Sequence, residues 1–455
     1  MSSRKVMKLS SANNDEIKQD FISKLPDTLL TRILSLLPDA DACRTSVLSK
    51  SWKDLWMFLP NLHFVIPNSS TWEQASNYYD LVDKTLAIRG GLPIRRFFLY
   101  GSQMFHIACV ENWLRIAVQR KVQIIVLRFP PCGSWVSFHW DMFKTCETLV
   151  ELTLEGQFCL EVPKDKVFFP CLKKISLVSI RYGYRGDESF ENLITTCCPV
   201  LEELFLERQK LDYFGTIKIS SISLKRLRIY NTVNVFDEFV IDAPKLEYLN
   251  IEDKKGSEYS DYSFTKKPSS LVEAYIDTDT DSVNQIVTNI SAVKVLTLTF
   301  PTIWAFNEIY EIDELDDLNR LNVPVFPNLV KLVIDVHANI SNWSLLFVFL
   351  HNMPNLGHLT FMNGLLPIQN AGRIFHQHWK PPPEAPACLR FKLKEIIILN
   401  REAITQEELT LIWYMLNHSD NLEILTVNGH ELDPMRLEVL LKFHRGSNLC
   451  RFEIV

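Results

Sequence analysis

Several sets of side chains have the types that chemistry needs, and their spacing decides whether they use them. Ten cysteines stand at positions 43, 109, 132, 146, 159, 171, 197, 198, 388 and 450. Thiols hold zinc when they come as closely spaced pairs with further Cys or His nearby, and no CxxC occurs. Cys197 and Cys198 are adjacent and point different ways, so the pattern predicts buried, reduced thiols. Nothing marks Cys43 or Cys109 as a reactive nucleophile. Among 11 histidines, His376 and His378 come nearest to a metal pair, but Gln, Trp and Lys surround them and no metal is expected. Glu308, Glu311, Asp313, Glu314, Asp316 and Asp317 face only Arg320. That run lacks the glycine turn and terminal glutamate of a calcium loop. It reads as a solvated loop or as an acidic lip that selects a basic substrate. No phosphate loop, dinucleotide fingerprint, nucleophile elbow, HExxH or kinase set appears. The expectation is a non-enzymatic protein with no cofactor.

Composition narrows the partners. The 455 residues include 48 Lys plus Arg against 54 Asp plus Glu, a formal net charge of −6 that offers no global attraction for nucleic acid. A hydrophobic fraction of 47% supports folded cores, and only 14 Gly argue against an enzyme rich in phosphate loops. The first twenty residues have no apolar core and so do not form a secretory signal. The strongest apolar run, Leu345 to Leu350, is far shorter than the roughly 20 residues that span a bilayer. These features predict a protein of the nucleus and/or cytoplasm with no membrane partner.

Elements must position whatever function remains, and the first is a helical module. Pro26 and Asp27 suit a helix start. Leu29, Leu30, Ile33, Leu34 and Leu37 then recur at helical spacing until Pro38. Asp39 or Asp41 can cap a second short helix with Cys43, Val47 and Leu48, and a third turn holds Trp52, Leu55 and Trp56. Three short helices bury little by themselves. The module either docks on the rest of the chain or presents an apolar face to a partner.

A repeat fills most of the remaining chain. An apolar anchor, two variable residues, an apolar residue, one variable residue and another apolar residue recur thirteen times. The central matches include Leu149-Leu152-Leu154, Leu201-Leu204-Leu206, Leu246-Leu249-Ile251 and Leu329-Leu332-Ile334. The outlying ones begin at Ile94 and end at Leu422-Leu425-Val427. Anchor steps run from 22 to 37 residues, mostly in the range of a leucine-rich repeat. Pro170, Pro199, Pro244, Pro327 and Pro354 each sit two residues before an anchor, where proline ends the preceding segment. The fold class expected is α/β: a three-helix module, then an irregular solenoid with short strands on its concave face and helices or irregular turns behind. No regular asparagine closes the turns.

Strand alternation assigns the concave face. Its central column includes Phe205, Arg228 and Tyr275; Tyr230 lies on the same strand as Arg228, and Tyr248 lies in the flanking column. Phe205, Arg228, Tyr230, Tyr248 and Tyr275 are the candidate substrate anchors, because aromatic residues and arginine carry interface energy well. Arg226 and Arg228 form a local basic pair among Glu203, Glu207 and Glu252, which leaves a small-molecule ligand open. After Trp379 and the prolines 381–383 and 386, a unit of strands and helices closes the chain and can cap the solenoid. The boundaries expected are a disordered leader at 1–19, the module at 20–65, a linker at 66–90, repeats at 91–370 and the end unit at 371–455.

The run Leu25-Pro26-Asp27, Leu29-Leu30, Ile33-Leu34, Leu36-Leu37-Pro38, Thr45 to Lys50, Trp52 and Leu55-Trp56 resembles a plant-type F-box. Trp379, Pro383, Pro386, Cys388-Leu389 and Leu393 resemble an FBD domain. The resemblance implies a substrate-recognition subunit of an SCF ubiquitin ligase. In that family the F-box grips a Skp-type adaptor and through it a cullin, and the repeats hold a protein substrate. It also implies that Leu25, Pro26, Leu29, Ile33, Leu34, Val47, Leu48, Trp52 and Trp56 are adaptor-contact or module-core residues. Ser51 stands where the family usually has a basic residue, which would weaken docking modestly. A non-degradative scaffold and a small-molecule sensor with its ligand in the groove are the alternative functions.

Overall fold

The computed structural model describes residues 22, 25–37, 39–50, 52–66, 72–101, 106–130, 135–137, 139–156, 158–163, 167–181, 186–208, 215–232, 237–253, 260–278, 280, 282–299, 301–303, 323–335, 343–365, 381–382, 384–399, 406–428 and 434–454. The leader, the acidic run from Glu308 to Asp317, His376, His378, Trp379 and Pro383 lie outside the described residues.

Two short helices, α1 (Asp27–Leu34) and α2 (Asp39–Arg44), lead into 3-10 turns at Thr45–Val47 and Leu55–Phe58. The first strands are β1 (Asn61–Val65), β2 (Arg96–Tyr100), β3 (Ile124–Arg128), β4 (Val136–Ser137), β5 (Glu151–Glu155), β6 (Phe158–Cys159) and β7 (Lys174–Val178). Then come β8 (Glu203–Arg208), β9 (Gly215–Ser220), β10 (Arg226–Asn231), β11 (Asp237–Asp242), β12 (Tyr248–Asp253), β13 (Asp261–Phe264) and β14 (Glu273–Thr278). The last are β15 (Val295–Thr299), β16 (Lys331–Asp335), β17 (His358–Met362), β18 (Glu395–Leu399), β19 (Ile424–Val427) and β20 (Arg451–Ile454).

Fifteen of these strands form one parallel sheet in the order β1-β2-β3-β5-β7-β8-β10-β12-β14-β15-β16-β17-β18-β19-β20. Thirteen of them carry the thirteen sequence triplets. The registers stack Leu204, Leu227, Leu249 and Ala274 in one row, and Leu206, Ile229, Ile251 and Ile276 in the next. Both rows and the anchors behind them are buried, and they join one continuous core. Five prolines, 170, 199, 244, 327 and 354, sit in the turns that precede strands. The scarce glycine is used where no side chain fits: Gly156 has φ +123°, and a Cβ there would lie 2.0 Å from the Phe129 carbonyl oxygen.

Three features differ from the sequence expectation. First, the sheet begins inside the helical module. Leu59-Leu62-Phe64 follows the repeat template and builds β1, a match hidden by the neighbouring helical pattern. Second, the stretch read as a linker holds α3 (Trp72–Ile88), whose Tyr79, Val82 and Leu86 pack into the solenoid core. It lies beside α4 (Ile107–Gln119), where the Trp113 indole N–H donates to Asp83 at 2.7 Å. Third, the middle of the array is backed by strands: β9, β11 and β13 form a three-stranded parallel sheet. Step length does not set the backing: the 22-residue step from Leu224 holds β11, the 22-residue step from Leu271 holds the helix Val283–Asn289, and the 28-residue step from Ile94 holds the 13-residue α4.

Buried polar groups replace the missing asparagine ladder. The Asn231 amide donates to Ser260 Oγ at 3.1 Å, and the Tyr262 hydroxyl donates to Asp253 at 2.9 Å. The Thr278 backbone N–H donates to Thr302 Oγ1 at 2.9 Å. Pairing such groups is what allows them inside. The end unit extends the array: β18, β19 and β20 continue the same register.

Candidate functional site

Two surfaces stand out, and the first is the helical module. Its core is Leu30, Leu34, Ala42, Trp52, Leu55 and Leu59, with Leu25 and Trp56 packed against it. Helical periodicity gives α1 two faces. Leu30 and Leu34 point inward, while Leu29 and Ile33 point to solvent. The turn after α2 is more extreme, with Val47 at 86% and Leu48 at 66% exposed. Leu36 and Leu37, in the turn after α1, complete an apolar surface that the module does not cover itself.

The nine residues assigned to this module by resemblance therefore divide. Leu29, Ile33, Val47 and Leu48 are available to a partner, and Pro26 is exposed beside them. Leu34 and Trp52, at 0% and 5% exposure, belong to the module core. They hold the module together. Leu25 is partly buried against that core, and Trp56 packs against both the module core and the solenoid core. Leu36, present in the motif, was not among the nine; only the helix end shows that it faces outward.

One buried arginine ties the module to the array, and sequence reasoning missed it. Arg89, just after α3, is 2% exposed. Its Nη1 donates to the carbonyls of Met57 and Leu59, and its Nη2 donates to that of Pro93 at 2.9 Å. Burial first, and nearby Arg120 second, lower its pKa to about 10, so it stays charged at neutral pH. No local motif announces a side chain whose partners lie about thirty residues upstream.

The second surface is the concave sheet. Phe205, Arg228, Tyr230, Tyr248 and Tyr275 fall on the consecutive strands β8, β10, β12 and β14, all on the solvent-facing rows. Arg228 is registered beside Phe205 and Asn250, and Asn250 beside Tyr275. The Arg226 guanidinium lies 4.2 Å from the Tyr248 ring centre and that of Arg228 lies 5.5 Å away, a cation–π arrangement. The Tyr275 hydroxyl is held well above its ordinary pKa, by burial first and then by the negative charge of Asp277, Glu252 and Asp335. That carboxylate edge was not foreseen as a group. Its signal was available: each residue stands two positions beyond the central column of its repeat.

Cys146, Cys159, Cys197, Cys198, Cys388 and Cys450 are buried free thiols, as expected; Cys171 is exposed, contrary to expectation. Burial and neighbouring Cys197 push the Cys198 thiol well up, and burial pushes Cys388 to about 12. Among the described residues no His, Cys, Asp and Glu group could hold a metal, and no helix is long and apolar enough to cross a membrane.

Comparison with known proteins places family matches over both regions of the chain. Residues 22–64 match the F-box domain, and residues 110–269 match the family described as FBD-associated F-box protein At5g56370, LRR repeats. The chain is 30% identical to F-box/LRR-repeat protein 13 of Arabidopsis thaliana over 97% of each chain. It is 33% identical to F-box/LRR-repeat protein At1g06630 of the same plant, over 74% of this chain and 83% of that one. It is 30% identical to F-box/FBD/LRR-repeat protein At1g78750, over 75% and 76%. An F-box implies binding to a Skp1-type adaptor, and F-box/LRR proteins are typically non-catalytic substrate adaptors of SCF ligases. An exposed apolar F-box face joined to a long parallel repeat sheet, with these relatives, makes the chain a member of the plant F-box/FBD/leucine-rich-repeat family.

Proposed function

We propose that this chain is the substrate-recognition subunit of an SCF ubiquitin ligase. The observation that carries the reading is the split of the F-box into a buried core and an exposed set, Leu29, Ile33, Leu36, Val47 and Leu48. Apolar anchors of this kind drive stable docking when a partner covers them. The Skp-type adaptor covers that face and brings the cullin. The concave residues Phe205, Arg228, Tyr230, Tyr248 and Tyr275 hold a protein substrate. The chain performs no covalent step; it raises the local concentration of the substrate beside the ubiquitin-carrying enzyme. Arg89 serves this role by limiting motion between the two surfaces.

The experiment is co-purification of the full chain with a Skp-type adaptor from plant cells, in parallel with a Leu29→Asp/Leu48→Asp variant. A stoichiometric complex with wild type, lost in the folded variant, supports the reading; absence of adaptor from the wild type overturns it. Protein abundance in a knockout, restored by wild type and not by the variant, separates a degradative receptor from a scaffold. We further place the protein in the nucleus and/or cytoplasm, which a fluorescent fusion expressed at native level checks.

A further inference from the structure

The two edges of the long sheet are finished differently. At β1 the inward row is covered: Leu62 is 0% exposed, and α2 of the F-box packs against the strand. At β20 it is not. The register sets Phe452 beside Leu425 and Ile454 beside Val427, so both continue inward rows. Yet Ile454 is 50% exposed and Phe452 is only partly buried. Leu449, in the turn before the strand, is 74% exposed. Among the described residues β20 has a strand on one side only. A bare edge of this kind is a template for another strand unless its side chains oppose the pairing.

We propose that the open edge of β20 binds the β20 of a second copy of this chain, antiparallel, about a two-fold axis at Phe452. Backbone and charge select this register together. The Arg451 N–H donates to the Glu423 carbonyl at 2.8 Å, so Arg451 and Glu453 turn their backbone groups toward β19. By alternation, Phe452 and Ile454 turn theirs to the open edge. Two antiparallel registers bring those edge groups face to face and overlap three residues of the strand. Centred on Phe452, the copies exchange Phe452 N–H···O=C bonds, and each Arg451 lies opposite the Glu453 of the other copy. Centred on Glu453, that carboxylate would meet its own copy, and like charges directly opposite are destabilising.

The side chains are available for this pairing. Arg451 and Glu453 are exposed, and neither makes an ion pair or a side-chain hydrogen bond among the described residues. On the inward side the register sets Phe452 against Phe452, an aromatic cross-strand pair. A two-fold contact is self-complementary, which is what a strand carrying Arg and Glu two positions apart provides. The contact is separate from the F-box face and from the concave anchors, so it stands independently of the adaptor and substrate readings.

Sedimentation velocity of the full chain over a concentration series tests the proposal. Wild type should pass from one chain to two as concentration rises. Arg451→Glu and Glu453→Arg each set like charges opposite, and each should weaken the dimer about tenfold or more. An equimolar mixture of the two variants should restore it, because every pair is then opposite in sign. The double variant Arg451→Glu/Glu453→Arg should restore it for the same reason. Both positions are exposed, and unchanged melting temperatures show that the variants fold. Wild type that stays monomeric throughout overturns the proposal, as does a dimer that both single variants retain in full. Loss in the single variants without recovery in the mixture overturns the register and the proposal with it. A dimer lost in Leu29→Asp/Leu48→Asp but kept in the edge variants puts self-association on the F-box and overturns it too.

Discussion

The F-box and the repeat array dispose of their apolar residues in opposite ways. The F-box has a core of six buried residues and leaves about as many large apolar side chains in water, among them Leu29, Ile33, Leu36, Leu37, Val47 and Leu48. The array buries its anchors and both inward rows, and it shows solvent a mixture of tyrosine, arginine and carboxylate. A partner on the first surface would be held by area removed from water, which salt hardly weakens. A partner on the second would also meet charges, whose contribution salt screens. One suits a lasting partner and the other an exchanging one.

The largest expected effect breaks the first surface alone. Leu48→Asp should weaken adaptor binding about a hundredfold or more, since a charge replaces an apolar anchor at a desolvated contact. Calorimetric titration checks it, and an unchanged melting temperature shows that the exposed set is separate from the module core. The next tests the array's reliance on its inward rows. Leu249→Ala, at a fully buried site, should cost about 2–5 kcal/mol in a denaturant titration. An effect below half a kcal/mol would deny the continuous core.

A third prediction concerns the joint between the two regions. Arg89→Met keeps the side-chain length and leaves the carbonyls of Met57, Leu59 and Pro93 without their donor. A loss of about 1–3 kcal/mol is expected. Hydrogen exchange should speed up at Met57 to Leu59 and stay unchanged in β14–β16. Exchange unaltered at both places would show that the clasp does not hold the module.

The smallest effect sharpens the description of the concave face. Tyr275 has a folded-state pKa above its ordinary value of 10.0, so the folded chain binds that proton more tightly than the unfolded chain. The resulting stability is complete below pH 10 and is lost as pH rises through the folded value. Tyr275→Phe should therefore show a shallower decline in melting temperature above pH 10 than wild type. Parallel declines would mean that neither burial nor the charge of Asp277, Glu252 and Asp335 acts on the hydroxyl.

Much of this architecture was legible because the repeat is strongly periodic. Thirteen triplets predicted thirteen strands, and Phe205, Arg228, Tyr230, Tyr248 and Tyr275 did fall side by side on the outward rows. β1 escaped because Leu59 belongs to two patterns at once, packing in the F-box while anchoring a strand. The helix α3 escaped because its apolar positions, Tyr79, Val82 and Leu86, make a thin stripe on a polar segment. The back strands β9, β11 and β13 escaped because the strand triplets carry no signal for what lies behind them: the 22-residue step from Leu224 holds a strand and the 22-residue step from Leu271 holds a helix, Val283–Asn289.

By itself the sequence determined the period, the inward and outward alternation of each strand, and the apolar excess of the F-box. Those are local properties, set by a side chain's own chemistry and its spacing of two or 3.6 residues. Tertiary structure alone decided three other things. It turned Leu34 and Trp52 inward and Val47 and Leu48 outward. It delivered Arg89 to carbonyls thirty residues away, and it aligned Glu252, Asp277 and Asp335 into one edge beside Tyr275. Each depends on the register between segments, which the unequal lengths of intervening chain conceal until neighbouring strands hydrogen-bond.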